Sequence, residues 1–501
     1  MRNSKKAVGR IIWFALVFCT LFIWFTQVHP LVVYDSDDWV FLSYIRRGFP
    51  VWGDWNPSRV LPETLMPLVC SVSAHLLYPW TGNYIGSIMW GSALVVSLCI
   101  TVYVICFTKM VERVFSLTSG ESVTVSVFFF LLHFLVFRSE GCANQYMFYC
   151  WDLTCYYFYL IPSLLNASLV MIMIKNKDFD VFMQEKENGI QKGLFLLAVY
   201  LAVFSNLPCS GILAAFSGCK VLFALLELAK KERKTETSKE STLLHAGILI
   251  LWFISAIFEL SGGRAESVSG SGITLFQSIQ NIVSFLIHPT VYTSKAFLLM
   301  AFMTIVLAVT FSMIYPKKDP ASGVFGRLFT ELLVCGAALL VYMLLLMAKV
   351  DWASVYRAEY LFGLFFYLIL ITMASLCFLL KKSRNTMLAV PILLYVMLSC
   401  INTTGQTFRD SNMRNMPADT WMRIGNDMVS QFVEADLRGD AHIYLYVPVS
   451  DKDMNWPLFE GYNGFAIGDT LYEHGVTSRR IEFTVVPDME MNEKYNLPVS
   501  H

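Results

Sequence analysis

The sequence predicts an all-α polytopic membrane protein of about eleven transmembrane helices, followed by a small α/β segment outside the membrane. Three observations predict it. The 501-residue chain is 56% hydrophobic and only 15% charged, with a mean hydropathy of +0.54. Apolar runs long enough to cross a bilayer core as helices recur as far as Ile401. Lys and Arg mark every second connection between those runs, the pattern left by cytoplasmic loops that retain positive charge.

The expected spans are Ile11–Val28, Tyr84–Phe107, Ser122–Phe137, Leu153–Ile174, Gly193–Leu207, Ser210–Leu228, Leu243–Leu260, Ala296–Tyr315, Leu328–Met347, Tyr360–Leu380 and Met387–Ile401, within a membrane domain of residues 1–401. The first follows "MRNSKKAVGR", which has the charge layout of a signal sequence. No A-x-A-like cleavage site comes after it, so an uncleaved first helix is expected. The fifth span is short and ends at "SNLPCSG", where Asn206 and Pro208 predict a helix end or a bend. Basic residues gather in the N-terminal ten residues, "KMVERVF", "KNKDFDVFMQEKENGIQK", "KKERKTETSKE", "YPKKDPASGVFGR" and "KKSR". That places the N-terminus in the cytoplasm and the C-terminal segment on the other side.

The first outer loop, residues 29–83, is long and rich in Trp (Trp39, Trp52, Trp55, Trp80), as expected for a functional segment half-sunk in headgroups. Within it, Leu61–Trp80 is apolar enough to span. Its two internal prolines, Glu63, His75 and its Tyr78/Trp80 end instead favour a helix lying in the interface. A crossing there would reverse the side of every later loop.

After Ile401 the apolar pattern stops. In the outer segment, residues 402–501, Trp421, Ile424, Met428 and Phe432 recur at helical spacing within Pro417–Gly439. "AHIYLYVPV" and "RRIEFTVVP" alternate like strands, with a short helix expected in "FAIGDTLYEHG" between them.

Composition narrows the function. The 38 basic and 38 acidic side chains cancel, so no global field points to nucleic acid. The twelve cysteines fall mostly in apolar runs and none follows Ile401, which argues against a disulfide framework. Cys142, Cys150 and Cys155 are read as small core residues, His133 as a hydrogen-bonded core histidine, and Lys220 as a snorkelling side chain. Asn402-Thr403-Thr404 fits an outward-facing glycosylation sequon.

The acids of "YDSDDW" (Asp35, Asp37 and Asp38) concentrate charge where desolvation is costly, directly behind the first span. A partly desolvated carboxylate there suits general-base chemistry on a nearby hydroxyl. "NPSRVLPE" adds Asn56, Arg59 and Glu63; Arg59 is expected to neutralise an Asp of the cluster or to clamp a phosphate through its planar fork. Arg264 in "ELSGGRAES" and Arg357 in "DWASVYRAEY" reach the same predicted membrane boundary. No Ser/His/Asp set, P-loop or metal-ligand spacing is evident.

An uncleaved first helix, an outward "DSDDW" behind it, a long amphipathic loop with "NPSR" and a Gly-and-Arg outer loop together resemble the GT-C superfamily of integral-membrane glycosyltransferases. The likeness is greatest to bacterial members that modify surface polysaccharides. The resemblance implies a sugar donor on a polyprenyl phosphate, a glycan acceptor, and inverting transfer at the outer face of the plasma (inner) membrane. By that resemblance Asp37 or Asp38 is the catalytic base. Arg59, Arg264 and Arg357 stabilise the leaving phosphate, with Asp35, Asn56 and Glu63 completing the donor site. Some relatives place a divalent ion, Mg or Mn, between carboxylate and phosphate; these residues leave that open. The rival expectations are a transporter or flippase, or a polymerase, of lipid-linked polysaccharide precursors.

Overall fold

The computed structural model describes residues 2–34, 36–43, 58–138, 145–176, 189–229, 239–260, 275–288, 292–314, 320–349, 352–382, 394–401, 417–449 and 466–497. Of the expected site residues, Asp35, Asn56 and Arg264 lie outside the described residues, as do Cys142 and the sequon at Asn402.

The apolar runs form helices because hydrocarbon leaves a backbone no partner but itself. In chain order these are α1 (Arg2–Ile23, continued by a π turn Trp24–Val28), α2 (Ser36–Ser43), α3 (Val60–Leu76), α4 (Tyr78–Thr81), α5 (Tyr84–Val114), α6 (Ser119–Leu135) and α7 (Leu153–Lys175, with a π turn at Tyr156–Leu160). They continue as α8 (Gly189–Val203), α9 (Leu207–Ala229), α10 (Lys239–Leu260), α11 (Leu275–Ile287), α12 (Lys295–Ile314), α13 (Pro320–Lys349), α14 (Ala358–Lys382) and α15 (394–401). Among the described residues nine helices are long and apolar enough to cross a membrane, counting α3 with α4 as one, and α6 and α8 are shorter apolar helices. The architecture is that of a polytopic membrane protein. Leu16, Leu98, Leu196, Phe302 and Leu345 stand exposed on its flanks, a belt that fits lipid and not water. The last expected span is described only from 394 onward. The sequence reading did not include α11, an amphipathic helix packed on α13 and on the 3-10 turn Trp352–Tyr356.

Contacts between loops define two ends of the bundle. At one, Arg10 pairs with Glu112 at 3.0 Å, and Lys381 Nζ donates to Ser116 O at 2.6 Å. At the other, Ser294 N donates to Val136 O at 2.8 Å, Ala358 N to Gln145 Oε1 at 3.1 Å, and Val60 N to Phe204 O at 3.2 Å. The second end holds the acidic segment. Helix α3 both starts and finishes there. Its first turn meets Phe204 and Glu259 at the ends of α8 and α10, while Tyr78 just beyond it packs on Tyr84, the first residue of α5. Despite its length it lies across this end of the bundle instead of running through it. Helix α5 has 31 residues, about 46 Å at 1.5 Å per residue, against a hydrocarbon core of about 30 Å. Its projecting first turns supply the platform for α3: a Cβ on Gly91 would fall on the Ser73 side chain.

The C-terminal segment is α16 (Ala418–Arg438), β1 (His442–Pro448), α17 (Ala466–Glu473), β2 (Glu482–Asp488) and α18 (Met489–Tyr495). The two strands pair in parallel, His442 opposite Glu482 and Val447 opposite Pro487. Parallel neighbours need a crossover, and α17 lies within it. Ile443, Leu445, Phe483 and Val485 point inward, and Phe432 of α16 meets Phe483 edge-on at 5.3 Å.

This segment docks on α2 and α5. Thr470 Oγ1 donates to Trp39 O at 2.9 Å, Trp421 Nε1 donates to Val33 O, and Asn426 Nδ2 donates to Asn83 Oδ1 at 2.7 Å. His474 closes the joint, its Nε2 lying 3.2 Å from Leu42 O and its Nδ1 2.7 Å from the Tyr84 hydroxyl. With Nε2–H donating to the carbonyl, Nδ1 is left to accept from Tyr84, which fits a neutral ring. Burial lowers the His474 pKa to about 4, the Leu42 carbonyl working the other way and His75 in the same direction. A released His474 returns to the ordinary value near 6.5. Docking is therefore strongest above pH 6.5 and weakens about tenfold per pH unit down to pH 4, where the docked ring also protonates. A fluorescence-transfer pair between α17 and α3 in the purified protein should report that loss, and His474→Gln should flatten it.

Candidate functional site

The acidic segment enters the site in two different states. Asp37 and Asp38 both occupy the first turn of α2, where the helix dipole favours negative charge. Neighbouring helical residues point about 100° apart, so they meet different surroundings. Asp38 is completely buried. Its Oδ2 accepts from Tyr34 N at 2.8 Å, and its Oδ1 accepts from both the amide and the hydroxyl of Thr154, each at 2.7 Å. Asp37 is half-buried. The rest of α2 is anchored by Trp39, stacked on Tyr84 at 6.1 Å, and by Phe41 against Phe158 at 4.7 Å.

His29, which sequence reasoning did not single out, braces the approach to this segment. Its Nδ1 lies 2.7 Å from the Tyr146 hydroxyl and 3.3 Å from that of Tyr156, and its ring stacks on Tyr149. Trp24 Nε1 donates to the same Tyr146 hydroxyl at 2.8 Å. The available signal was position: a histidine between the first apolar run and "YDSDDW".

Arg59 precedes α3 with a left-handed backbone (φ 61°), a strained conformation for a residue with a Cβ. Its fork binds a carboxylate through two parallel bonds, but the partner is Glu259 of α10 and not an Asp of the cluster: Nε to Oε1 at 2.8 Å and Nη2 to Oε2 at 2.7 Å. Burial opposes the charge of Arg59, Glu259 more than offsets it, and the pKa ends above the ordinary value. Glu63, one turn into α3, and Tyr159 add to the same field.

Arg357 sits at the start of α14. Its Nε donates to Glu359 Oε1 at 2.7 Å and its Nη2 to Cys155 Sγ at 3.2 Å. The guanidinium lies 4.3 Å from the Trp151 ring centre, 5.2 Å from Tyr360 and 5.5 Å from Tyr159. Burial again opposes the charge and Glu359 again outweighs it, leaving the pKa raised. The Tyr159 and Tyr360 hydroxyls are 3.0 Å apart. This tyrosine pair links the two arginines, since Tyr159 lies within electrostatic range of both.

The acid segment joins the same group through α7. Thr154, which holds Asp38, precedes Cys155, which accepts from Arg357, and Asp152 caps that turn by accepting from Cys155 N at 2.6 Å. Asp37, Asp38, Arg59, Glu63 and Arg357 are therefore gathered at one end of the bundle. Each arginine commits Nε and Nη2 to protein partners, leaving the Nη1 side of the fork for an anion. Glu359 is buried, and its Oε2 has no hydrogen-bond partner among the described residues. No three His, Cys, Asp or Glu side chains converge on a metal position among the described residues.

Elsewhere, His133 is fully buried between Phe129 O (2.7 Å) and the Tyr103 hydroxyl (3.1 Å). Lys220 pairs with Glu331 across α9 and α13, near His245, whose Nδ1 lies 3.1 Å from Ser217 Oγ.

The two aspartates should separate by stability. Asp38→Asn turns one acceptor into a donor facing a donor, at a cost of about 1–3 kcal/mol. Asp37→Asn should stay within about 0.5 kcal/mol of the parent. Thermal unfolding of the purified proteins in one detergent checks the contrast. No protein-family model matches the chain and no curated protein matches its sequence, so the site is read from its own geometry.

Proposed function

We propose that this chain is a membrane glycosyltransferase that moves a sugar from a polyprenyl-phosphate donor to a glycan acceptor, at the membrane face where the acidic segment lies. One observation carries the reading. A carboxylate segment and two half-buried arginines, each with one side of its fork unspent, meet at a single end of an apolar bundle. A lipid-borne donor keeps its tail in the bilayer, so its phosphate and anomeric carbon come to this depth.

In the proposed reaction, Asp37 takes the proton from an acceptor hydroxyl as that oxygen attacks the anomeric carbon. The bond from the anomeric carbon to the phosphate oxygen breaks, its electron pair leaves with the lipid phosphate, and the configuration inverts. Arg357 and Arg59 stabilise the charge developing on the phosphate. Asp38, with its lone pairs occupied, acts by positioning the turn that presents Asp37. The aromatic wall of Trp151, Tyr159 and Tyr360 restricts water around Arg357, which strengthens its field.

Asp37→Asn should lower transfer from a polyprenyl-phosphate sugar about a hundredfold or more in reconstituted protein while leaving unfolding unchanged. Arg357→Lys should lower it too, because an ammonium replaces neither the fork nor its stacking on Trp151. Full transfer by Asp37→Asn, by Asp38→Asn and by the double variant would refute the proposal.

A second reading has one specific observation in its favour. The Lys220–Glu331 pair lies inside the bundle, where ionisable groups commonly mark a transport path. If the chain flips a lipid-linked sugar, Glu331→Gln abolishes movement of a labelled lipid across proteoliposomes and Asp37→Asn does not. Glycan composition in cells with and without the gene, together with any build-up of lipid-linked intermediate, distinguishes transfer from flipping.

A further inference from the structure

Among the described residues the parallel pair β1–β2 is covered on one face only. Parallel strands ordinarily have both faces packed, and two strands alone are marginally stable, so an open face in such a unit calls for an occupant. The inner face is filled by α16 and by α17, where a Cβ on Gly468 would strike the Ile481 carbonyl. The outer face carries His442, Tyr444 and Tyr446 on β1, with Glu482 and Thr484 on β2, all exposed; Tyr444 and Tyr446 keep 62% and 47% of their surface. His442 stands edge-on to Tyr444 at 5.6 Å and its Nε2 is 3.1 Å from Thr484 Oγ1.

We infer that this face binds an oligosaccharide and grips the acceptor glycan at a distance from the reacting end. The inference rests on the proposed acceptor class. Its chemistry is on the face itself. Tyr444 and Tyr446 lie on the same face of β1, their Cα atoms about 7 Å apart, the separation of alternate residues. The C–H side of a sugar ring packs on such rings while its hydroxyls meet Tyr, Thr, His and Glu groups around them.

Other occupants fit less well. A peptide adding as a third strand needs a free edge, and Gln431 blocks that of β1 by bonding both the amide and the carbonyl of Tyr446, each at 2.9 Å. An anionic membrane surface or a nucleic acid needs basic side chains, and these five residues contribute a carboxylate and no Lys or Arg. The unit is also coupled to the site, since Thr470 and His474 tie α17 to α2, which bears Asp37.

The test uses the full chain in detergent micelles on an array of immobilised neutral and acidic oligosaccharides. The parent and Asp37→Asn should bind one class of glycan alike, because Asp37 is not among the residues of this face. The double variant Tyr444→Ala/Tyr446→Ala should weaken that binding about tenfold or more, and Tyr444→Phe/Tyr446→Phe, which keeps both rings, should retain most of it. Absence of binding to any glycan, or undiminished binding by the double alanine variant, overturns the inference. So does a double alanine variant whose only change is loss of dimerisation or of liposome binding. Binding is read apart from transfer, so an active Asp37→Asn protein would remove the proposed mechanism and leave this result standing.

Discussion

The working end of this protein depends on how one buried carboxylate is satisfied. Asp38 has no contact with water, and a carboxylate in that position is tolerated only when its lone pairs are filled. Three of its donors come from two segments: Tyr34 just before α2, and Thr154 in the first turn of α7, 116 positions away. A helix start has free N–H groups to give, and α7 gives one of them to Asp38. That single exchange fixes the exit of α1, the direction of α2 and the start of α7. Because Cys155 follows Thr154 and accepts from Arg357, the start of α14 falls into the same register.

The arginines obey a related constraint. An unpaired guanidinium at this depth would be costly, and Arg59 and Arg357 each have a carboxylate of their own. The pairs are not equivalent. Glu259 uses both oxygens on Arg59, which makes a closed, bidentate contact. Glu359 uses only Oε1 on Arg357 and keeps Oε2 buried without a partner among the described residues, while aromatic rings cover the cation. Of the two, the Arg357 pair is the less saturated, and through Cys155 it touches the turn that also holds Asp38. Under the proposed reaction, those two features favour Arg357 over Arg59 for the leaving phosphate.

Much of the fold was legible in the sequence, because run length and period are local properties. The long apolar helices and the helix and strands after Pro417 could be read that way. Helix α11 escaped because Gln277, Ser278, Gln280 and Asn281 interrupt its apolar run, so it is recognisable only by the face it buries. The site was half legible. Charge at a membrane edge singled out Asp37, Asp38, Arg59 and Arg357. Nothing local distinguishes Asp37 from Asp38, since their different roles come from a 100° turn of helix and from Thr154 far along the chain. Nor could Glu259 be foreseen as the partner of Arg59 across 200 positions. The Lys220–Glu331 pair was hidden for the same reason, since the partner is on another helix.

The C-terminal unit shows why the two halves of the chain are one device. Two strands, the 21-residue α16 and two short helices make a small unit that is also held by contact with α2 and α5. The contact is specific: hydroxyl and indole groups of the tail satisfy the carbonyls of Val33 and Trp39, and His474 spans from Leu42 to Tyr84. Val33, Trp39 and Leu42 flank the two aspartates. A tail that leaves therefore uncovers backbone acceptors on the element that presents Asp37, and α2, only eight residues long, cannot hold its orientation alone. The docking of the tail and the orientation of the acidic segment are therefore coupled.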